Sequence, residues 1–126
     1  MQVLIQEPTN ITPFVHLDSA KRTFIIEGTS IPENETKFFK PVIDWFNEYV
    51  TNPNDVTEVT FKMDYFNTFS SKKILDILTQ LEELSNKKNK KVIINWMYRD
   101  GDEDMKEAGE EFEAIVNLEF KIAPFH

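Results

Sequence analysis

From residue 56 to the C-terminus the apolar residues change period four times, and few folds are open to a chain that does this. Residues 56 to 66 alternate. Val59, Phe61, Met63 and Tyr65 share one face and Glu58, Thr60, Lys62 and Asp64 the other, which predicts a strand covered mainly on one side. Residues 71 to 85 shift to helical spacing, with Ile74, Leu75, Leu78, Leu81 and Leu84 on one stripe and Asp76, Gln80 and Glu83 opposite. Val92-Ile-Ile-Asn-Trp-Met-Tyr98 is apolar on both faces apart from Asn95, so it predicts a central strand with Ile94 and Trp96 buried. Asp102 can cap a third helix whose Met105, Ala108, Phe112, Ile115 and Val116 share a stripe, and Glu119 to Phe125 read as a last strand. Strands alternating with helices of about 12 to 16 residues need crossover connections, right-handed almost without exception, and so a largely parallel sheet.

The N-terminal part begins differently. Phe14-Val-His-Leu-Asp18 and Thr23-Phe-Ile-Ile-Glu27 read as two strands, with Ser19 to Arg22 as a hairpin connection. After Gly28, Ser30-Ile-Pro-Glu33 has capping-box spacing with Pro in the first turn, and Phe39, Val42, Ile43, Phe46 and Val50 follow at helical spacing. Pro41 lies inside that helix and predicts a kink or a separate first turn, because it removes a backbone donor. The expected order is ββαβαβαβ, an α/β fold with a mixed, mostly parallel sheet, formed by residues 1–126 as a single domain around one core.

Composition removes whole classes of function. Fourteen Lys and Arg against 22 Asp and Glu leave a net charge of -8, which opposes phosphate backbones and anionic lipid, so neither nucleic acid nor membrane insertion is expected. There is no Cys, and His16 and His126 are the only His, so HExxH motifs, thiolate nucleophiles and His-based triads cannot be written. Gly occurs only at 28, 101 and 109, which excludes GxGxxG and P-loop phosphate cradles. His16 fits an alternating strand and His126 a solvated end, so no metal and no cofactor are expected. The opening Met1-Gln-Val-Leu-Ile-Gln-Glu7 has neither a basic region nor a long apolar run, and a cytoplasmic location is expected.

Two charged segments imitate function. Asp100-Gly-Asp-Glu-Asp104 with Glu111 copies EF-hand spacing, but Met105 stands where a calcium loop needs Gly, and the apolar stripe needs this segment helical. Residues 100 to 119 hold nine acids against Lys106 alone, a solvated face able to steer a basic partner. The lysines of Ser85-Asn-Lys-Lys-Asn-Lys-Lys91 read as a solvated turn.

The segment Asp64-Tyr-Phe-Asn-Thr-Phe-Ser-Ser71 passes from strand to helix without glycine. Asn67, Thr68, Ser70 and Ser71 all suit helix capping, and four are more than one cap needs. A hydroxyl at a helix N-terminus is also where a phosphate is well received. These residues leave three readings open: an interaction protein switched by phosphorylation, a small-molecule-binding or enzymatic α/β domain using its strand-end loops, or a purely structural or oligomerisation module.

Several blocks together resemble the SiaC family of bacterial regulatory phosphoproteins. They are Ser30-Ile-Pro-Glu-Asn34 with Phe39, Pro41, Trp45 and Tyr49, then Asp64-Tyr-Phe-Asn-Thr68 with Ser70-Ser-Lys72, Asn95-Trp-Met-Tyr98, and Asp104-Met-Lys-Glu-Ala-Gly-Glu-Glu-Phe112. The resemblance implies a STAS-like fold related to anti-sigma-factor antagonists, and no catalytic activity. It also implies a partner switch. A Thr before the second helix, here Thr68, is phosphorylated by a Ser/Thr protein kinase and dephosphorylated by a PP2C-type phosphatase. The unphosphorylated form binds and activates a diguanylate cyclase or another output protein, which links the chain to cyclic di-GMP signalling and biofilm regulation. Asn67, Phe69, Ser70, Ser71 and Lys72 are the implied neighbours of the phosphosite and partner surface. Phe69 departs from the small residue more usual there and bears on kinase access and partner choice.

Overall fold

The alternating periods become alternating elements in the computed structural model, which describes all 126 residues. The order is β1 (Leu4–Gln6), β2 (Phe14–Asp18), β3 (Thr23–Ser30), α1 (Glu35–Tyr49), β4 (Val56–Phe66), α2 (Thr68–Asn86), β5 (Lys91–Arg99), α3 (Glu103–Ile115) and β6 (Glu119–Phe125). The six strands lie in the sheet in chain order, antiparallel from β1 to β3 and parallel from β3 to β6. Each crossover advances one strand in the same direction, so right-handed connections bring all three helices to one face. Burial follows. Val59, Phe61 and Met63 on the helix side are at most 1% exposed, whereas Glu58 and Asp64 on the other side face solvent.

The predicted central strand, β5, is paired on both sides, and Ile94 and Trp96 are fully buried. The uncovered face carries cross-strand polar side chains: Asn95 Nδ2 donates to Glu58 Oε1 at 2.7 Å, and Ile93 lies between its cross-strand neighbours Glu58 and Glu119. At the far end of the sheet, Lys90 Nζ donates to Asp55 Oδ1 at 2.8 Å and holds that carboxyl below its usual range.

The structure corrects five local expectations. β1 was not expected; it is a three-residue edge strand held by β2 and by Trp45 Nε1, which donates to the Gln2 carbonyl at 2.8 Å. Ser30 is not the cap of α1 but the buried end of β3, paired with Phe66. Asn34 caps instead, its side chain accepting from Lys37 N. Pro41 splits nothing: α1 runs unbroken from Glu35 to Tyr49, and both Pro41 and Lys37, whose carbonyl loses its donor, are exposed to water. Tyr65, expected inside, is 55% exposed, because Gly28 pairs with Met63 and Thr29 with Tyr65, leaving Asp64 as an extra residue. Such a bulge reverses the alternation beyond it, and Phe66 takes the inward place. Ile115, expected on the buried stripe of α3, is 64% exposed at the end of that helix.

Trp96 organises the core beneath α2 and α3. Its ring lies 5.6 Å from Phe61, 6.0 Å from Phe66 and 5.4 Å from Phe112, and its Nε1 donates to the Met105 carbonyl at 2.9 Å. A second cluster anchors α1, where Trp45 stacks on Tyr49 at 5.2 Å and the Tyr49 hydroxyl meets Thr57 Oγ1 at 2.6 Å.

Gly109 is the position where α3 rests on the indole. A methyl group there would stand 2.7 Å from the indole Cγ and Nε1. Alanine favours a helix over glycine by about 1 kcal/mol, but the ring is boxed in by three Phe and cannot move aside. We expect Gly109→Ala to be destabilising by about 1 to 3 kcal/mol as overpacking wins. Urea titration checks this, and an unchanged or raised midpoint would show that the contact is slack.

Candidate functional site at the junction of β4 and α2

The polar segment between β4 and α2 divides into an inward and an outward half. Asn67 leaves the strand in extended conformation and caps α2, its Oδ1 accepting from Ser70 N at 2.8 Å. The next helical residues then alternate in exposure: Thr68 and Phe69 face solvent, Phe69 at 61%, while Ser70 is completely buried. Ser71 is half-buried and Lys72 exposed, its ammonium 5.7 Å from the centre of the Phe69 ring.

Ser70 is a tie point. Its Oγ lies 2.9 Å from both the Ser30 carbonyl oxygen and Glu35 Oε2, and 2.8 Å from the Ser30 hydroxyl. Asn67 N also donates to the Ser30 carbonyl, at 3.2 Å. One buried hydroxyl thus joins the end of β3, the first turn of α1 and the first turn of α2. Of the six residues singled out in sequence, Asn67 and Ser70 shape the junction. Thr68, Phe69 and Lys72 form its surface, and Ser71 lies at the edge of a neighbouring groove.

That groove includes residues no local pattern assigned to the site. Phe66, Ser71, Lys72 and Leu75 form one wall and Ala108, Glu111, Phe112 and Ile115 of α3 the other, enclosing about 160 Å³. Phe69 and Ile115, both more than 60% exposed, are the two most exposed large apolar side chains of the molecule. Glu111 lines the groove, and Glu103, Asp104, Glu107 and Glu110 of the same helix are exposed. Thr68 therefore stands where a helix N-terminus, with Thr68 and Phe69 N–H groups lacking intrahelical acceptors, meets an apolar groove.

The other candidate chemistry disperses. Residues 103 to 111 are helical, with Asp102 as cap accepting from Met105 N, so the EF-hand spacing is not a loop. His16 packs edge-on to Phe14, His126 lies 3.5 Å from Asp100, and no cluster of three His, Asp or Glu has metal-ligating geometry. No helix is long and apolar enough to cross a membrane.

The model of the SiaC family regulatory phosphoproteins matches residues 6–125. A Pseudomonas aeruginosa (strain UCBPP-PA14) protein described as uncharacterized is 32% identical over 114 residues, covering 90% of each chain. Among solved structures, apo-SiaC of Pseudomonas aeruginosa superposes with a TM-score of 0.87 at 30% identity, over 98% of this chain and 99% of the other. The crystal structure of the Pseudomonas aeruginosa diguanylate cyclase SiaD in complex with its activator SiaC matches with a TM-score of 0.89 at 30% identity, over 97% and 99%.

The junction's geometry ranks three alanine variants. Ser70→Ala strips the only partner from a Glu35 carboxylate whose Oε1 is already buried and unpaired, and should be destabilising by about 1 to 3 kcal/mol. Asn67→Ala removes the cap at a cost of about 0.5 to 2 kcal/mol. Thr68→Ala, at an exposed position, should stay within about 0.5 kcal/mol of the parent. Denaturant titration of the three tests the order, and a Thr68 variant as damaging as Ser70→Ala would mean that Thr68 is structural.

Proposed function

Because the chain belongs to the SiaC family of regulatory phosphoproteins, we propose that it is a non-catalytic partner switch, phosphorylated at Thr68, whose unphosphorylated form binds and activates a diguanylate cyclase. The reading is carried by the exposure of Thr68 at the first turn of α2, beside an exposed Phe69 and the groove between α2 and α3. The Thr68 side chain stands at the surface, open to a Ser/Thr kinase, and a PP2C-type phosphatase reverses the step in this reading. The complex formed by the SiaC relative with its cyclase supports a protein as the output partner.

The charge explains the direction of the switch. A phosphate brings roughly -1.5 to -2 charge at neutral pH. In the free protein it is well placed, near the two unpaired N–H groups of the helix end, and Lys72 lies at i+4 on the same helical face. The unmodified surface offers Phe69, Leu75 and Ile115 for burial against a partner. Covering them would strip water from the phosphate, and a desolvated, unpaired charge costs several kcal/mol. Association therefore loses far more than the free protein gains.

Two measurements test this. Calorimetric binding to the purified cyclase should give equal affinities for the parent and Thr68→Ala, and at least tenfold weaker binding, about 1.4 kcal/mol, for the protein phosphorylated at Thr68. Equal affinities for all forms would remove Thr68 as the switch. Ile115→Asp tests the groove separately. It should leave the unfolding free energy from urea titration within about 0.5 kcal/mol, since the residue is exposed, and weaken cyclase binding at least tenfold. Full binding by this variant would move the interface elsewhere.

A further inference from the structure

On the face of the sheet that no helix covers, we propose a binding site for a small cationic amino acid of the arginine type, its side chain held by Glu7 and Glu27 and its carboxylate by Lys62. The site is a concavity of about 500 Å³ at the carboxyl ends of β3, β4 and β5. That size falls in the range of small-molecule sites, and the ends of parallel strands are where α/β sheets collect ligands. Gly28, at φ 112°, lines the depression with its backbone between Phe14 on one side and Phe125 on the other.

Its charges are only partly paired with one another. The bulge in β4 makes Asp64 the extra residue, and its carboxylate holds Arg99 at 2.8 Å. Arg99 and Lys62 both lie over the Phe125 ring, 5.1 Å and 4.3 Å from its centre. Lys62 is the direct cross-strand neighbour of Glu27, yet no carboxylate comes within ion-pair distance of its ammonium. Glu27 and Glu7 are likewise free of ion pairs. With Asp64 and Arg99 satisfying each other, the concavity presents two free carboxylates beside Phe14 and one free ammonium beside Phe125.

The complement is a molecule with a cation at one end, a carboxylate at the other and one excess positive charge. A guanidinium suits the first end, since it pairs with carboxylates in a planar fork and stacks on an aromatic face. The α-carboxylate then meets Lys62. This site uses none of the residues of the Thr68 junction, so it stands or falls independently of partner switching.

The test is a titration of the unphosphorylated full chain, isotopically labelled for NMR, with L-arginine, agmatine, which lacks the carboxylate, and L-citrulline, which lacks the side-chain charge. Arginine should bind saturably at about 1 mM or below, shifting amides near residues 27–28, 62–64 and 99, with agmatine and citrulline at least tenfold weaker. Glu27→Gln should weaken arginine at least tenfold, whereas Lys62→Met should weaken arginine and leave agmatine unchanged. No saturable arginine binding in that range, equal binding of the three probes, or a Lys62→Met effect on agmatine as large as on arginine would overturn the proposal.

Discussion

The indole of Trp96 sets where α3 lies, and the groove between α2 and α3 follows from it. The ring projects from a strand paired on both sides, is enclosed by Phe61, Phe66 and Phe112, and donates its one N–H to the Met105 carbonyl in the first turn of α3. A buried Trp brings a large apolar surface with a polar edge that must find an acceptor. That pairing fixes the helix along the ring as well as against it. Gly109 then lets the α3 backbone approach closely enough for Ala108, Phe112 and Ile115 to line a groove with α2.

The second constraint is the Ser70 hydroxyl, which gathers the end of β3 and the first turns of α1 and α2 at one buried point. Its inward position is what leaves Thr68 outside. Two residues along a helix are turned about 200° apart, so anchoring Ser70 in the core directs Thr68 to the surface. A charge added there acts on whatever docks at that surface and touches little of the core. The switch proposed at Thr68 needs this separation, because a modification that unsettled the fold would switch the protein off by destroying it.

A sheet with helices on one side only has two unlike surfaces. The helical side carries the groove beside Thr68 and the acids of α3. The other is held by cross-strand polar contacts, Asn95 to Glu58 and Arg99 to Asp64, and stays open to solvent. The bulge at Asp64 serves both. It turns Tyr65 outward and Phe66 inward against Trp96, and it brings Asp64 into the depression beside Lys62.

Much of this was legible in the residues themselves. The switching periods mark β4, α2, β5, α3 and β6, because side chains alternate or spiral with the local backbone whatever lies across from them. Asn67, Thr68, Ser70 and Ser71 mark a helix start for the same local reason, and the family resemblance singles out Thr68. What could not be read depends on partners distant in sequence. Ser30 had the spacing of a cap, but pairing with Phe66 and Ser70, 36 and 40 residues away, extends the strand through it. Tyr65 kept the rhythm of a buried residue until the β3–β4 register slipped by one. Ile115 belonged to an apolar stripe, and only the placement of α3 decided that nothing covers it. The sequence by itself determined every element but the short edge strand β1, and the chemistry each carries. Tertiary structure decided which hydroxyl is buried, which is exposed, and which walls face each other, since register and packing are set between segments, where local periodicity carries no information.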